Sequence, residues 1–339
     1  MSEHDDHHAG AAEISPFHAG EIALQERAGV HPRIDQVGRK LIRDHLTDQH
    51  REFFALLPTL LVAGRDQAGR PWATMLAGSP GFVSSPDAWH LRIAAALTYD
   101  DPVISRLACG DAIGLLGLQP HTRRRNRMNG TISAIDAAGF SVRVRQSFGN
   151  CPKYIQARTP EWGAVAISPR RPAVSGGARL ERHLVQLIGA ADTFFIASCS
   201  ADPQSAGPSE GLDVSHRGGR PGFVRCDVAH DHSVLTIPDF VGNFLFNTLG
   251  NLLVNPACGL LFVDYADGGL LHLAGDAEIV WESAEVAAFA GAERLWRVHV
   301  TASLWRPGAL PLRWSAPAFA PQLEELGDWD HSAADDTAT

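Results

Sequence analysis

Lysine is nearly absent from this 339-residue chain, with only Lys40 and Lys153 among its 29 basic residues. The other cations are arginines, whose planar guanidinium suits phosphate and carboxylate ligands, although the nucleotide composition of the gene is the simpler explanation. The formal net charge is −9. A general nucleic-acid binder needs a net basic face, so we do not expect a nucleic-acid partner.

Cysteines are few and have no paired spacing. The five are Cys109, Cys151, Cys199, Cys226 and Cys258. An odd number without a C-x-x-C pair indicates neither a disulfide framework nor a zinc site, so we expect buried apolar residues or inert thiols. His4, His7 and His8 could bind a metal, but a frayed N-terminal tail is the simpler interpretation.

Long apolar runs are also missing. No stretch approaches the roughly 18 apolar residues that cross a bilayer, and the opening MSEHDDHHAGAAE lacks the basic-then-apolar layout of a secretory signal. We therefore expect a cytoplasmic protein without a membrane partner. The fingerprints of dinucleotide-binding folds, P-loop NTPases, zinc metalloproteases and α/β-hydrolases do not occur either.

Short aliphatic and β-branched runs, separated by Gly, Pro and Asp, dominate the chain and predict strands. They are TLLVAG (59–64), WHLRIAA (89–95), AIGLLGL (112–118), FSVRVRQ (140–146), DTFFIAS (192–198), SVLTIP (233–238), CGLLFVD (258–264) and LLHLAG (270–275). Helical spacing marks 34–57, which Pro58 ends, and NFLFNTLGNLLV (243–254), which Asn255-Pro256 ends.

The order of these runs repeats along the chain. LAGSPGFV (76–83) returns as RGGRPGFV, with Gly81 and Gly222 141 residues apart. IGLLGL and RMNGTISAI return as CGLLFV and HLAGDAEIV, both 145 residues later, and TLLVAGRD returns as TFFIASCS after 134. This indicates a duplication. The predicted division is a helical extension (1–57), a first unit (58–158), a linker (159–189), a second unit (190–315) and a tail (316–339).

Two polar segments of the second unit could carry chemistry. Around the repeated Gly-x-Pro-Gly-Phe-Val element stand Ser215, His216, Arg217 and Arg225. Hydroxyl, imidazole and guanidinium groups together suit a phosphate site, although solvated charges on a Gly-rich hairpin fit the same spacing. Further along, a helix would place several polar residues on one side, namely Asn243, Asn247, Thr248 and Asn251.

Two polar segments of the first unit are further candidates. The arginines of HTRRRNRMNG (121–130) run into a strand, where alternate side chains could face one side, although such charge blocks are usually solvated. QSFGNCPKYIQAR (146–158) has the composition of a loop and helix start that could touch a ligand. Cys151 has no evident activating partner, which disfavours a nucleophilic role.

These motifs resemble the pyridoxamine 5′-phosphate oxidase-like family of FMN-binding split barrels. DVSHRGGRPGFVRC, LTIPDFVGNFLFNTLGNLLVNPACGLLF and LAGDAEIV carry the resemblance in the second unit, and RMNGTISAI with QSFGNCPKYIQAR carries it in the first. The resemblance implies a mainly β fold, a β-barrel with α segments, built as two tandem FMN-binding split barrels. FMN is the implied cofactor, held between barrels, and a homodimer is a further possibility.

The resemblance also implies a set of cofactor-binding residues. In the second unit they are Ser215, His216, Arg217, Gly222, Val224, Arg225, Ile237, Asn243, Asn247 and Thr248. In the first unit, Arg127, Asn129, Gln146, Ser147 and Lys153 would form the opposing wall. The oxidases' basic Ser-Arg-Lys segment reads VGNFLFN here, so Arg217 and Arg225 are expected to supply the positive charge instead.

The implied function is that of an FMN-dependent oxidoreductase of unknown substrate. Its partners would be a small-molecule substrate or an electron donor such as NAD(P)H. Pyridoxamine phosphate oxidation is not expected, because the oxidases' C-terminal substrate motif has no clear counterpart. The alternatives are a non-catalytic flavin carrier and a haem or deazaflavin binder, with His216 as the haem ligand.

Overall fold

The computed structural model describes residues 15–96, 98–162, 171–200, 209 and 211–329. His4, His7 and His8 lie outside these residues. The helices are α1 (Ala19–Arg27), α2 (His31–Leu41), α3 (Asp48–Ala55), α4 (Arg182–Ala190), α5 (Asn247–Val254) and α6 (Ala284–Ala288). Short 3₁₀ turns span Ile104–Arg106, Pro120–Thr122 and Pro321–Glu325.

The strands form two groups along the chain, and β8 and β9 lie in the segment predicted as a linker. Those up to residue 162 are β1 (Thr59–Arg65), β2 (Pro71–Ala77), β3 (Val83–Asp87), β4 (His90–Ile93), β5 (Ala112–Gln119), β6 (Arg124–Asp136), β7 (Gly139–Gly149) and β8 (Pro160–Trp162). The later ones are β9 (Val174–Gly176), β10 (Thr193–Cys199), β11 (Leu212–Gly218), β12 (Arg225–Val228), β13 (Ser233–Phe240), β14 (Ala257–Asp264), β15 (Gly269–Val280), β16 (Ala292–Arg306) and β17 (Leu312–Trp314).

Two antiparallel sheets repeat one strand order. The first runs β2-β1-β5-β6-β7-β4-β3 and the second β11-β10-β14-β15-β16-β13-β12, with β9 added beside β16. Each of the eight apolar runs predicted as strands overlaps one of these strands. The mainly β fold class predicted from the sequence is therefore confirmed.

The register of the strands follows the sequence repeat. Thr59 lies opposite Ala77 between β1 and β2, and their sequence counterparts Thr193 and Gly218 lie opposite each other between β10 and β11. A one-residue slip would have turned every side chain to the other face of its sheet. The two halves thus share strand order and register, as two copies of one unit would.

The two units pack against each other through an apolar layer. It contains Leu61 and Leu116 of the first unit and Phe195 of the second, all fully buried. At equivalent positions of β5 and β14, a Cβ on Gly114 would lie 2.9 Å from the Leu212 carbonyl oxygen, and one on Gly259 would lie 2.4 Å from that of Pro71. Glycine at both positions allows the backbones to approach this closely.

The predicted helix at 34–57 is interrupted. α2 ends at Leu41 and α3 begins at Asp48. Between them Arg43 forms a backbone bridge with Ser147 of β7, and the Thr47 hydroxyl accepts the His50 amide to cap α3. Pairing with a strand has overridden the helical spacing here, because propensity is a weak prior against tertiary contacts.

The segments predicted as linker and tail contain ordered structure. α4 begins in the predicted linker and ends at Ala190, and its Leu184 and Ile188 are buried in the core of the second unit. β8 and β17 pair with each other. Trp329, in the predicted tail, contacts the same core and donates from its indole to the Phe223 carbonyl.

Two expectations about composition can be compared with the structure. Among the described helices, none is long and apolar enough to cross a bilayer. Cys199 and Cys258 are buried as expected, whereas Cys109 is exposed and Cys151 is half-buried. Among the described residues, none of the five cysteines forms a disulfide.

Candidate functional site

A cleft opens between the two units. Its walls come from β6 and the segment after β7 on one side, and from β11, β13 and the start of α5 on the other. The space between protein atoms is about 970 Å³, including the part that is open to solvent. The cleft is therefore the place where polar residues of both halves meet.

More than half of the predicted binding residues line this cleft. They are Arg127 and Lys153 from the first unit, and Ser215, His216, Arg217, Asn243, Asn247 and Thr248 from the second. Ser215 accepts a hydrogen bond from Arg127 and, at 2.9 Å, one from the Thr248 hydroxyl. The fold thus joins segments that lie far apart in the chain.

The other predicted residues of the second unit lie away from the cleft lining. Val224 and Ile237 are buried in the core of that unit. Gly222, with φ of 90°, forms the turn before β12. Arg225 forms ion pairs with Asp227 and Glu285. The cofactor role predicted for these four residues finds no support in their positions.

Asn129, Gln146 and Ser147 also lie outside the cleft lining. Asn129 and Gln146 face each other across β6 and β7. The buried Ser147 hydroxyl lies 2.8 Å from His50 Nδ1, so Ser147 ties α3 to the first sheet.

Two arginines of the cleft are already neutralised by carboxylates. Arg127 Nη1 lies 2.8 Å from an Asp213 oxygen, and both side chains are buried. Arg217 Nη1 lies 2.8 Å from Asp239 Oδ1. Removing either arginine would strand a buried carboxylate as well as remove a ligand contact, because breaking a buried pair leaves an uncompensated charge.

Arg125 differs from these arginines because it has no carboxylate partner among the described residues. Its Nε donates to the Cys151 carbonyl at 2.7 Å, and its Nη1 lies 3.1 Å from His216 Nδ1. Removal from water lowers the pKa of Arg125 to about 10, which leaves it charged at neutral pH. Lys153 lines the same cleft, and no described carboxylate pairs with it either. These two cations give the cleft its uncompensated positive charge.

The environment of His216 fixes its proton. A guanidinium can only donate, so His216 Nδ1 accepts from Arg125 and the proton resides on Nε2. Burial, together with the nearby arginines 125, 217 and 158, holds the pKa of His216 well below its usual value. To bind a haem iron through Nε2, this imidazole would have to move its proton to Nδ1 and lose the Arg125 bond.

Three aromatic residues of the cleft have left-handed backbone conformations. Tyr154, Phe244 and Phe246 line the cleft with φ values of 63°, 60° and 59°. Such conformations are costly for residues other than glycine and are found preferentially at ligand sites. The left-handed conformations of Phe244 and Phe246 also delay the start of the predicted 243–254 helix, because α5 begins only at Asn247.

The strand register places a second region in the position equivalent to the cleft, and its chemistry differs. Leu270 takes the place of Arg125, and His272 takes that of Arg127. Both are fully buried. Burial lowers the pKa of His272 to about 4, so this imidazole is neutral.

An internal ion pair occupies this equivalent region. Arg306 Nη1 lies 2.7 Å from Asp101 Oδ2, and Nη2 lies 3.1 Å from Asp100 Oδ1. Asp101 also accepts from the Thr74 hydroxyl at 2.6 Å, and Thr74 is the counterpart of Ser215. In this region the charged side chains thus pair with one another, whereas in the cleft Arg125 and Lys153 remain available to a ligand.

Sequence reasoning did not single out Arg125, Tyr154 or Phe246. The arginine block did contain a signal for Arg125, because Arg125 and Arg127 are alternate residues of β6 and both line the cleft. Nothing in the sequence marks Tyr154 or Phe246, whose positions depend on the left-handed backbone. Among the described residues, no group of three or more His, Cys, Asp or Glu could hold a metal ion.

Comparison with known proteins gives limited similarity. No family model and no curated protein matches the chain. Among solved structures, HupZ from Group A Streptococcus is 17% identical, with a TM-score of 0.27 over 37% of this chain and 91% of its own. A histidine-to-alanine variant of HupZ is 15% identical, with a TM-score of 0.27 over 37% of this chain and 98% of its own.

A third similar structure is a candidate pyridoxamine 5′-phosphate oxidase from Lactobacillus delbrueckii. It is 13% identical, with a TM-score of 0.28 over 37% of this chain and 93% of its own. Similarity this low carries no functional conclusion, so the function of this protein has to be inferred from the residues of the cleft.

Proposed function

We propose that this protein binds FMN in the cleft between its two units and acts as a flavin-dependent oxidoreductase. The observation that carries the proposal is the lack of a carboxylate partner for Arg125 among the described residues. A half-buried guanidinium without a carboxylate partner is unfavourable until an anion joins it. A phosphate accepts the paired N–H groups of arginine well, and Lys153 adds a second cation nearby.

The remaining walls of the cleft fit a flat, polar-edged ring. Tyr154, Phe244 and Phe246 offer aromatic surface, and Asn243 and Asn247 offer amide groups. Bound flavin would supply the redox chemistry, while the chain's own residues hold it, orient it and limit its access to water. We include in this proposal that each unit is a split barrel and that the two units arose by duplication of one ancestor.

The absorption spectrum of the purified protein tests the cofactor. We expect the bands of oxidised flavin, either as purified or after FMN is added and unbound ligand removed. Riboflavin, which lacks the phosphate, should bind much more weakly, because Arg125 and Lys153 would have no anion to contact. A protein that remains colourless with FMN would contradict the proposal, and a Soret band would favour haem.

One FMN per chain is the expected stoichiometry. The region equivalent to the cleft has Leu270 in place of Arg125 and is occupied by the Arg306–Asp101 ion pair. Among the described residues, this region therefore has no unpaired arginine in the place of Arg125. Quenching of FMN fluorescence by protein of known concentration measures the ratio, and two equivalents per chain would contradict this interpretation.

Anaerobic reduction distinguishes an enzyme from a carrier. We expect NADH or NADPH to bleach the bound flavin, and oxygen or a separate acceptor to restore its colour. A flavin that chemical reductants bleach but reduced nicotinamides leave unchanged would favour the non-catalytic alternative.

A further inference from the structure

The N-terminal extension contacts the wall of the cleft through α1. The backbones of α1 and α5 are so close that a Cβ on Gly20 would lie 2.2 Å from the Gly250 carbonyl oxygen. Gln25 Nε2, buried in the same contact, donates to the Leu245 carbonyl at 3.3 Å. An element outside both units thus packs directly behind residues that line the cleft.

Glu21 occupies the centre of this contact. Its side chain is buried, and one oxygen accepts from the His18 amide at 3.0 Å in a capping box. The other oxygen accepts from the Asn247 side-chain amide, and Asn247 lines the cleft. A residue of α1 thus holds the side-chain amide nitrogen of a residue that lines the cleft.

A second connection leads from α1 to the same wall. The Arg27 guanidinium lies 4.0 Å from the centre of the Trp281 ring, and Arg294 contacts both Trp281 and Phe246 at 5.3 Å. Phe246 is one of the residues with a left-handed backbone. Such a conformation persists only where its surroundings hold it, and α1 supplies part of those surroundings.

We propose that Glu21 is a positioning residue of the cleft: through Asn247 it holds the 243–248 wall in its binding conformation. Binding of a ligand depends on the wall, so the ligand part of this inference rests on the proposed FMN site. The movement of the wall itself does not.

The direction of the pH effect follows from burial. Burial raises the pKa of Glu21 to about 8, so the docked helix favours the protonated carboxyl. An undocked Glu21 would titrate near its ordinary value of 4.5. Docking is therefore most favourable below pH 4.5 and loses free energy as the pH rises towards 8. Among the described residues, the ionisable groups facing Glu21 are His18 at the N-cap of α1, Arg127 on β6 and Asp213 on β11.

The test compares wild-type protein with Glu21→Gln, Glu21→Ala and Glu26→Gln. Glu26 is exposed on the same helix and serves as the matched control. In the absence of ligand, hydrogen exchange of segment 243–254 should accelerate from pH 6.5 to 8.5 in wild type and Glu26→Gln, after correction for intrinsic exchange. Glu21→Gln, which cannot ionise, should show no such change, and Glu21→Ala should exchange fast throughout.

FMN affinity provides the second readout. We expect the dissociation constant of wild type to rise by about tenfold over this pH range relative to Glu21→Gln, since linkage allows up to tenfold per pH unit between the two pKa values. The ratio cancels the titration of the FMN phosphate.

Equal pH profiles for wild type and Glu21→Gln, or normal protection in Glu21→Ala, would overturn the role of Glu21. If exchange behaves as expected but no variant binds FMN, the positioning role is supported and the cofactor proposal fails.

Discussion

Replacing Arg125 with methionine should weaken FMN binding by about 10- to 100-fold. Hydrogen bonds to a charged group contribute about 1.5–3 kcal/mol each, and every 1.4 kcal/mol changes a dissociation constant about tenfold. The free energy of unfolding should change by only about 1 kcal/mol. The variant loses the hydrogen bonds of Arg125 to the Cys151 carbonyl and to His216, which destabilises the fold. It also removes an unpaired, partly desolvated cation, which offsets part of that loss.

Fluorescence titration with FMN and urea unfolding of ligand-free protein measure these two quantities. Arg145→Met is the matched control, because Arg145 is exposed on the neighbouring strand β7 and does not line the cleft. Unchanged affinity in Arg125→Met would place the phosphate elsewhere. Arg217→Ala and Arg225→Ala then become informative, since only Arg217 lines the cleft.

In contrast to Arg125→Met, Arg306→Met should mainly destabilise the fold, lowering the free energy of unfolding by about 3–5 kcal/mol. Arg306 and Asp101 are both buried, with an Nη1–Oδ2 distance of 2.7 Å. Without the guanidinium, the Asp101 carboxylate remains buried with too little compensating charge, and breaking a buried pair on one side costs about this much.

Urea unfolding of ligand-free protein measures the effect, with Arg92→Met as the control. Arg92 forms an ion pair with Asp136 at the surface, where such pairs contribute about 0–1 kcal/mol. A loss of below about 1 kcal/mol in Arg306→Met would show that Asp101 finds water or other donors, and that the equivalent region is less closed than its contacts indicate.

For the arginines, position in the sequence did not predict which side chains are available to bind a ligand. Arg217 and Arg225 stand eight residues apart around one motif, and both were predicted to bind phosphate. In the structure Arg217 lines the cleft with its charge paired to Asp239, whereas Arg225 pairs with Asp227 and Glu285 outside the lining. Whether a cation is available to a ligand depends on which carboxylates fold against it, and two of these three, Asp239 and Glu285, come from other elements of the fold.

Local sequence patterns predicted those features that depend on residues close together in the chain. Short aliphatic and β-branched runs bounded by Gly, Pro and Asp predicted the strands, and the near-constant offsets between repeated segments indicated two units with one strand order. Gly114 and Gly259 are equivalent positions of the sequence repeat, but the sequence does not show why both are glycine. The reason, a close approach of the two units, appeared only in the tertiary structure.

The sequence by itself determined the mainly β class, the repeated strand order and the segments from which the cleft is built. Only the tertiary structure decided that Arg125 has no carboxylate partner within the described part of the chain, that Arg306 and Asp101 occupy the equivalent region, and that Glu21 reaches Asn247. Strands form from contacts that repeat every second residue. Charge pairing and burial instead depend on side chains up to about two hundred residues apart, such as Arg306 and Asp101, and no local pattern specifies those partners.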